Sequence, residues 1–142
     1  MTYPCPEPVA SLWFPLVKKF YQAHYPSGKP NKAEPIWVVR QQGKILCAVR
    51  LKPFPESQLL TAMVTAPGQR QQGLGTHLLK GIQKQLSQTP TYCFAFTHLV
   101  AFYERNQFTV IPPEELPNTL QERFFAYSRQ GRKITPMQYK SS

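Results

Sequence analysis

A chain of 142 residues, 42% hydrophobic and 13% aromatic, has material for one core-forming domain and little for a second. Its formal net charge is +10, and its seven acidic residues are all glutamates, so a Ser-His-Asp triad, an EF-hand loop and an aspartate-held magnesium site lack their usual parts. No apolar run approaches the roughly 20 residues of a membrane span. The opening MTYPCPEPVASLWF has no basic stretch ahead of an apolar one, so no signal peptide is expected. Cys5, Cys47 and Cys93 are odd in number and widely spaced. That argues against a disulfide framework and paired zinc ligands, and fits a reduced cytoplasm. The positive balance favours an anionic partner: a phosphorylated cofactor, an acidic substrate or nucleic acid. A merely soluble basic surface is the plain alternative.

The first element reads as a helix, with Leu12, Leu16, Val17, Phe20, Tyr21 and His24 at three- and four-residue steps. Pro15 suits a first turn, so the helix starts near Phe14 or kinks there. Tyr25–Pro35 is a loop by its Pro, Gly and Lys content. Ile36–Arg40 and Ile45–Leu51 form a hairpin about Gln42-Gly43. Lys52–Ser57, broken by Pro53 and Pro55, is a second turn, and Leu59–Thr65 a third strand. A glycine-bearing turn leads to a helix over Thr76–Leu86, with Leu78, Leu79, Ile82 and Leu86 on one face. TYCFAFTHL (Thr91–Leu99) reads as a buried strand, and Val100–Phe108 as one or two helical turns. TVIPP is a short strand ended by prolines, Asn118–Ser128 a helix and KITPMQY a last strand. This order predicts an α+β fold: a mostly antiparallel sheet with one βαβ-like crossover, flanked by helices.

The turn TAPGQRQQGLGT (Thr65–Thr76) carries Arg70, Gly73 and Gly75 and no acidic residue. A helix N-terminus presents N–H groups that no carbonyl within the helix satisfies. Their dipoles sum to about half a positive charge. Glycines there let a ligand approach the backbone and make positive φ cheap. Such a turn can cradle a pyrophosphate, and Arg70 adds charge of the right sign. The Rossmann GxGxxG and the Walker A Gly-Lys-Ser/Thr are both absent. An ordinary strand–helix connection is the competing reading of the loop by itself.

The whole of MVTAPGQRQQGLGTHLLKGI resembles the acetyl-CoA-binding motif of the GNAT (Gcn5-related) N-acetyltransferases, in which a Val-x-Pro-like strand end precedes Q/R-x-x-G-x-G/A and a helix. Pro67 stands three before Arg70, as in that pattern, and Thr65 takes a usually apolar position. FYERNQF resembles the second signature of the family, with Tyr103 and Phe108 in place and Gln107 where the usual residue is Gly. The order of elements matches over roughly Ile36–Phe108, although the family's first strand is not evident.

The resemblance implies a single GNAT acetyltransferase domain over residues 1–142, with the acyl-CoA N-acyltransferase fold. It implies acetyl-CoA as co-substrate, its pantetheine arm lying between Met63–Thr65 and Phe94–Thr97. Backbone groups of Met63, Val64 and Thr65 would pair with the arm, and one N–H would polarise the thioester oxygen. The amides of Arg70, Gln71, Gln72, Gly73, Leu74, Gly75 and Thr76 would hold the pyrophosphate. Lys80 is a further candidate, more simply read as a solvated lysine. Tyr103 is the implied general acid, with a packed core tyrosine as the alternative. The strand LLTAMVT offers no glutamate as base; His98 can take a proton near neutral pH, and Glu34 and Glu56, in loops within reach of the acceptor, are further candidates. Cys47 and Cys93 read as core thiols. No metal is expected, since His24, His77 and His98 lack partner ligands at metal spacing.

The acceptor side falls to Tyr21–Pro35 and Pro112–Tyr139. Arg123, Arg129, Arg132 and Lys133 lie there among Phe124, Phe125 and Tyr127, an arrangement that binds nucleic acid in some proteins and forms an amphipathic helix in more. No RNP signature, helix-turn-helix or zinc knuckle supports nucleic acid as partner. Acetyl transfer to a primary amine of a small molecule or protein is the leading expectation. A CoA-sensing regulatory partner with weak or no catalysis is the alternative, motivated by Gln107 and the missing strand glutamate. Dimers are common in the resembled family, so a homodimer is compatible.

Overall fold

The computed structural model describes residues 3–25, 30–31, 34–69 and 73–140. The fold is α+β with mostly antiparallel strands. Its contacts gather into two compact units, Met1–Pro53 with Leu60–Lys84, and Phe54–Leu59 with Gln85–Ser142.

In the first unit, β1 (Glu7–Pro8), β2 (Ile36–Gln41), β3 (Lys44–Phe54, as far as Pro53) and β4 (Ser57–Thr65, from Leu60) follow one another in that order. Gln42 and Gly43, with φ of 53° and 77°, make the β2–β3 turn left-handed at both central residues, which matches the twist of the flanking strands. The register shifts between Val39 and Arg40. The short β1 is held to β2 by Arg40 Nε, 2.9 Å from Glu7 Oε1; the first strand that the sequence hid is these two residues. Helix α1 (Phe14–His24) carries Pro15 in its first turn and buries Val17, Phe20 and Tyr21 against Ile36, Val38, Ala48, Ala62 and Val64.

Leu12 departs from the expected helical face and is 92% exposed. It lies in a 3-10 turn, Ser11–Trp13, whose three-residue period slips out of phase with the helix that follows. Strand β3 continues through the exposed Pro53, so the expected turn over Lys52–Ser57 shrinks to Pro55 and Glu56, the latter at φ 63°. The expected helix over Thr76–Leu86 is two pieces, α2 (Leu74–Gly81) and α3 (Gln83–Gln88). At the break, a side chain on Gly81 would collide with the Pro6 ring, so glycine here permits the close approach of the N-terminal segment.

In the second unit, β5 (Thr91–Phe96), β6 (Phe108–Val110) and β7 (Ile134–Tyr139) lie in the order β5-β7-β6, both pairs antiparallel. Helix α4 (Val100–Arg105) joins β5 to β6, and α5 (Asn118–Arg129) joins β6 to β7. Leu116, Leu120 and Phe124 form a core with Leu59, Tyr92 and Ile111. Strand β5 ends at Phe96 rather than Leu99: Thr97–Leu99 winds into a 3-10 turn, and Thr97 N–H donates to Lys133 O at 3.2 Å.

Candidate active site

Along the end of β4, Val64 is buried while Met63 and Thr65 are half-buried, the alternation of a strand with one face inward. Ala62 interrupts the regular backbone with a φ of 53°. Its carbonyl accepts a hydrogen bond from the Tyr21 hydroxyl at 3.0 Å. Thr65 Oγ1 lies 3.3 Å from Cys47 Sγ. Beyond it, Ala66 N–H donates to Leu46 O at 2.8 Å, and Gln69 N–H closes a 3-10 turn on Ala66 O at 2.9 Å. Arg70, Gln71 and Gln72 lie outside the described residues.

Gly73 has φ 76° and ψ 11° and caps α2. Among the described residues, and apart from its chain neighbours and its own helix backbone, no atom lies within 4 Å of where its side chain would stand. The helix thus starts two residues earlier than its hydrophobic pattern implied, placing Gly75 in the first turn. His77 N–H makes the first intrahelical bond, to Gly73 O at 2.9 Å; the N–H groups of Leu74 and Gly75 precede it and have no acceptor in the helix. The first turn carries no acid. Buried Leu74, Leu78 and Leu79 fix the helix on the core, while Gly75 and Thr76 are half-buried and Lys80 is exposed. Met63–Thr65 and Gly73–Thr76 therefore belong to one unit.

Tyr103 and His98 belong to the other unit. Tyr103, on α4, is buried edge-on against Phe102 at 5.1 Å and Phe108 at 5.4 Å. Asn106 Nδ2 donates to Phe102 O at 2.8 Å and closes the helix. Gln107 follows at φ 73°, which explains why the resembled motif favours glycine at this place. Its side chain accepts from the Tyr139 hydroxyl at 3.2 Å, and its carbonyl from Lys140 N–H at 2.8 Å. His98 is exposed in the turn after β5, its ring stacked 6.1 Å from Phe96 at 16°. Phe94 packs edge-on to Phe124 at 5.4 Å and Tyr127 at 6.2 Å, so these two aromatics of α5 turn toward the core, while Phe125 is 41% exposed.

Glu34 forms an ion pair with Arg50 at 3.4 Å, the two side chains 10% and 12% exposed. That partnership holds its carboxylate as a structural charge. Burial pushes the Cys47 thiol up to about 11, against the opposing hydrogen bond with Thr65, and pushes the Cys93 thiol up as well. Both are inert core thiols at neutral pH. Among the described residues, no group of three or more histidines, cysteines and glutamates could hold a metal ion, and no helix is long and apolar enough to cross a membrane. Three features escaped sequence reasoning: the left-handed Ala62, its bond to Tyr21 and the buried Glu34–Arg50 pair. Alanine carries no local signal for such a conformation.

Residues 32–110, more than half the chain, match the acetyltransferase (GNAT) domain, and the chain belongs to that family. A comparison with curated protein sequences gave no match. Among solved structures, N-acetylglutamate synthase from Neisseria gonorrhoeae, complexed with coenzyme A and N-acetyl-glutamate, is similar at TM-score 0.71 and 15% identity over 97% of this chain. This chain spans only 35% of that synthase. The Escherichia coli ribosomal-protein-S18-alanine N-acetyltransferase is similar at TM-score 0.66 and 15% identity, over 94% of this chain and 91% of its own. Rv2747 from Mycobacterium tuberculosis, in complex with CoA, reaches TM-score 0.73 at 15% identity, over 98% of this chain and all of its own. At these identities the likeness is one of fold.

Proposed function

We propose that residues 1–142 act as one acetyltransferase domain that moves the acetyl group of acetyl-CoA to a primary amine of a small molecule or protein. The observation that carries this reading is the start of α2. A left-handed glycine cap, two first-turn N–H groups without helical acceptors and no acid in that turn suit a diphosphate. Membership of the GNAT family makes acetyl-CoA the natural bearer of that diphosphate. Gly73, Leu74, Gly75 and Thr76, preceded by Arg70, Gln71 and Gln72, would hold it, and Met63, Val64 and Thr65 would pair with the pantetheine arm.

The chemistry is direct attack. The amine nitrogen forms a bond to the thioester carbon, the C–S bond breaks, and CoA leaves as a thiolate that must gain a proton. A backbone N–H of Met63–Thr65 stabilises the oxyanion. Tyr103 donates the proton to sulfur. A phenol near pKa 10 giving a proton to a thiolate near 8.5 works uphill by about 2 kcal/mol, which placement against the developing charge offsets. His98, on an exposed turn, takes the proton from the incoming ammonium. The test is CoA release from acetyl-CoA on a panel of small amines and peptide N-termini. Acceptor-dependent release that Tyr103→Phe abolishes supports the reading. Tight acetyl-CoA binding with no turnover on any acceptor favours a CoA-sensing role instead.

A further inference from the structure

Ala62 stands three residues before the end of β4 with a φ of 53°. A left-handed L-residue costs roughly 1–2 kcal/mol, and alanine has no side-chain group to soften that cost. Its surroundings must therefore hold it there. One holder is the Tyr21 hydroxyl of α1, which donates to the Ala62 carbonyl at 3.0 Å across 41 residues of sequence. The bond serves both ends. Tyr21 is 1% exposed, so its hydroxyl needs an acceptor inside the protein. Burial raises the phenol's pKa far above neutrality, which keeps the proton available for donation.

The ring is itself braced. Phe20 meets it edge-on at 6.0 Å. The Arg50 guanidinium lies 6.0 Å from its centroid and is ion-paired to Glu34. Val17, Val38, Ala48 and Val64 fill the same core. The hydroxyl position is thus set by packing from α1, β2, β3 and β4 of the first unit.

The consequence follows from the planarity of the peptide unit. The Ala62 carbonyl and the Met63 N–H belong to one trans peptide group, since no cis bond occurs among the described residues, so they point in opposite directions. A clamp on the oxygen aims the N–H away from Tyr21. We propose that Tyr21 is a positioning residue for acyl transfer, its hydroxyl holding the Ala62–Met63 peptide so that the Met63 N–H is pre-aimed at the thioester oxygen. This rests on the reading of Met63–Thr65 as the strand that faces acetyl-CoA, and it selects Met63 among the three candidate donors.

The test uses the full chain and needs no knowledge of the acceptor. Acetyl-CoA labelled with carbon-13 at the thioester carbonyl is bound to wild type and to Tyr21→Phe. The carbonyl resonance reports polarisation, and calorimetry on the same samples reports affinity. Expected are a downfield shift in wild type, its loss by half or more in Tyr21→Phe, and affinities within about threefold of each other. Where an acceptor supports turnover, kcat falls about tenfold or more with KM for acetyl-CoA little changed, less than the 10²–10³ of losing a donor outright. Ala62→Gly, which adopts the same backbone without strain, restores part of the shift in the Tyr21→Phe background. That pair also carries the test if Tyr21→Phe alone does not fold. An unchanged carbonyl resonance in Tyr21→Phe overturns the inference. So does loss of affinity in step with thermal stability, which marks Tyr21 as structural only. Failure of wild type to bind acetyl-CoA overturns the underlying functional reading instead.

Discussion

Replacing Gln107 by Ala and by Gly separates backbone strain from side-chain bonding at the turn after α4. Gln107 sits at φ 73° and accepts from the Tyr139 hydroxyl at 3.2 Å. Both substitutions delete that bond, with a net loss of about 1 kcal/mol. Alanine keeps the left-handed strain. Glycine relieves roughly 1–2 kcal/mol of it, partly offset by about 0.5–1 kcal/mol of extra chain entropy in the unfolded state. Gln107→Ala should therefore be destabilised by about 1 kcal/mol, and Gln107→Gly should fall within about 0.5 kcal/mol of wild type. At this chain length the difference is a few degrees in Tm, roughly 3–5 °C per kcal/mol. Urea melts followed by circular dichroism read it directly. Equal stability of the two variants would refute the strain argument, and with it the account of why this motif position favours glycine.

Three further outcomes follow from the same geometry. Tyr103→Phe should lower kcat by about 10²–10⁴ with KM for acetyl-CoA nearly unchanged; its ring still packs on Phe102 and Phe108, so a large drop in Tm would contradict a catalytic reading. Burial lifts the Cys47 thiol from 9.0 to about 11, so the folded chain keeps a proton that the unfolded chain gives up. That contribution is complete below pH 9 and is lost as pH rises to about 11, at up to about 1.4 kcal/mol per pH unit. Cys47→Ala should show a shallower loss of stability in that window, and an identical slope would count against it. Native protein should react with a thiol reagent at the exposed Cys5 alone among its three cysteines, Cys47 and Cys93 becoming reactive only on unfolding.

Much of this fold was legible because local chemistry and tertiary structure agree. Gln42-Gly43 announces its hairpin, Pro15 its helix start, and Gly73 its left-handed cap, each through backbone preference. Where they part, the cause is a neighbour distant in sequence. Gly81, the last residue of α2, leaves room for Pro6, which lies against it. Leu12 is turned outward by a 3-10 start that hydrophobic spacing cannot foresee. The site divides along the same line. Motif residues point to the glycine turn and to Tyr103 as the proposed phosphate grip and acid, and Gln107 stands out as a departure from the motif. Ala62 gives no local sign of its conformation, and the hydroxyl that bonds its carbonyl lies 41 residues away. The Glu34–Arg50 pair was equally hidden: the sequence shows two ordinary charges, and only the fold buries them together.

Calorimetric titration at modest salt, with acetyl-CoA in one series and S-acetylpantetheine in the other, tests the diphosphate grip at the start of α2 most directly. Acetyl-CoA should bind with a dissociation constant between about 1 μM and 1 mM, weakening as salt is raised. S-acetylpantetheine, which has the same thioester and no diphosphate, should bind at least about tenfold more weakly, a difference of about 1.4 kcal/mol or more. No heat with acetyl-CoA, or equal affinity for the two compounds, would contradict the account.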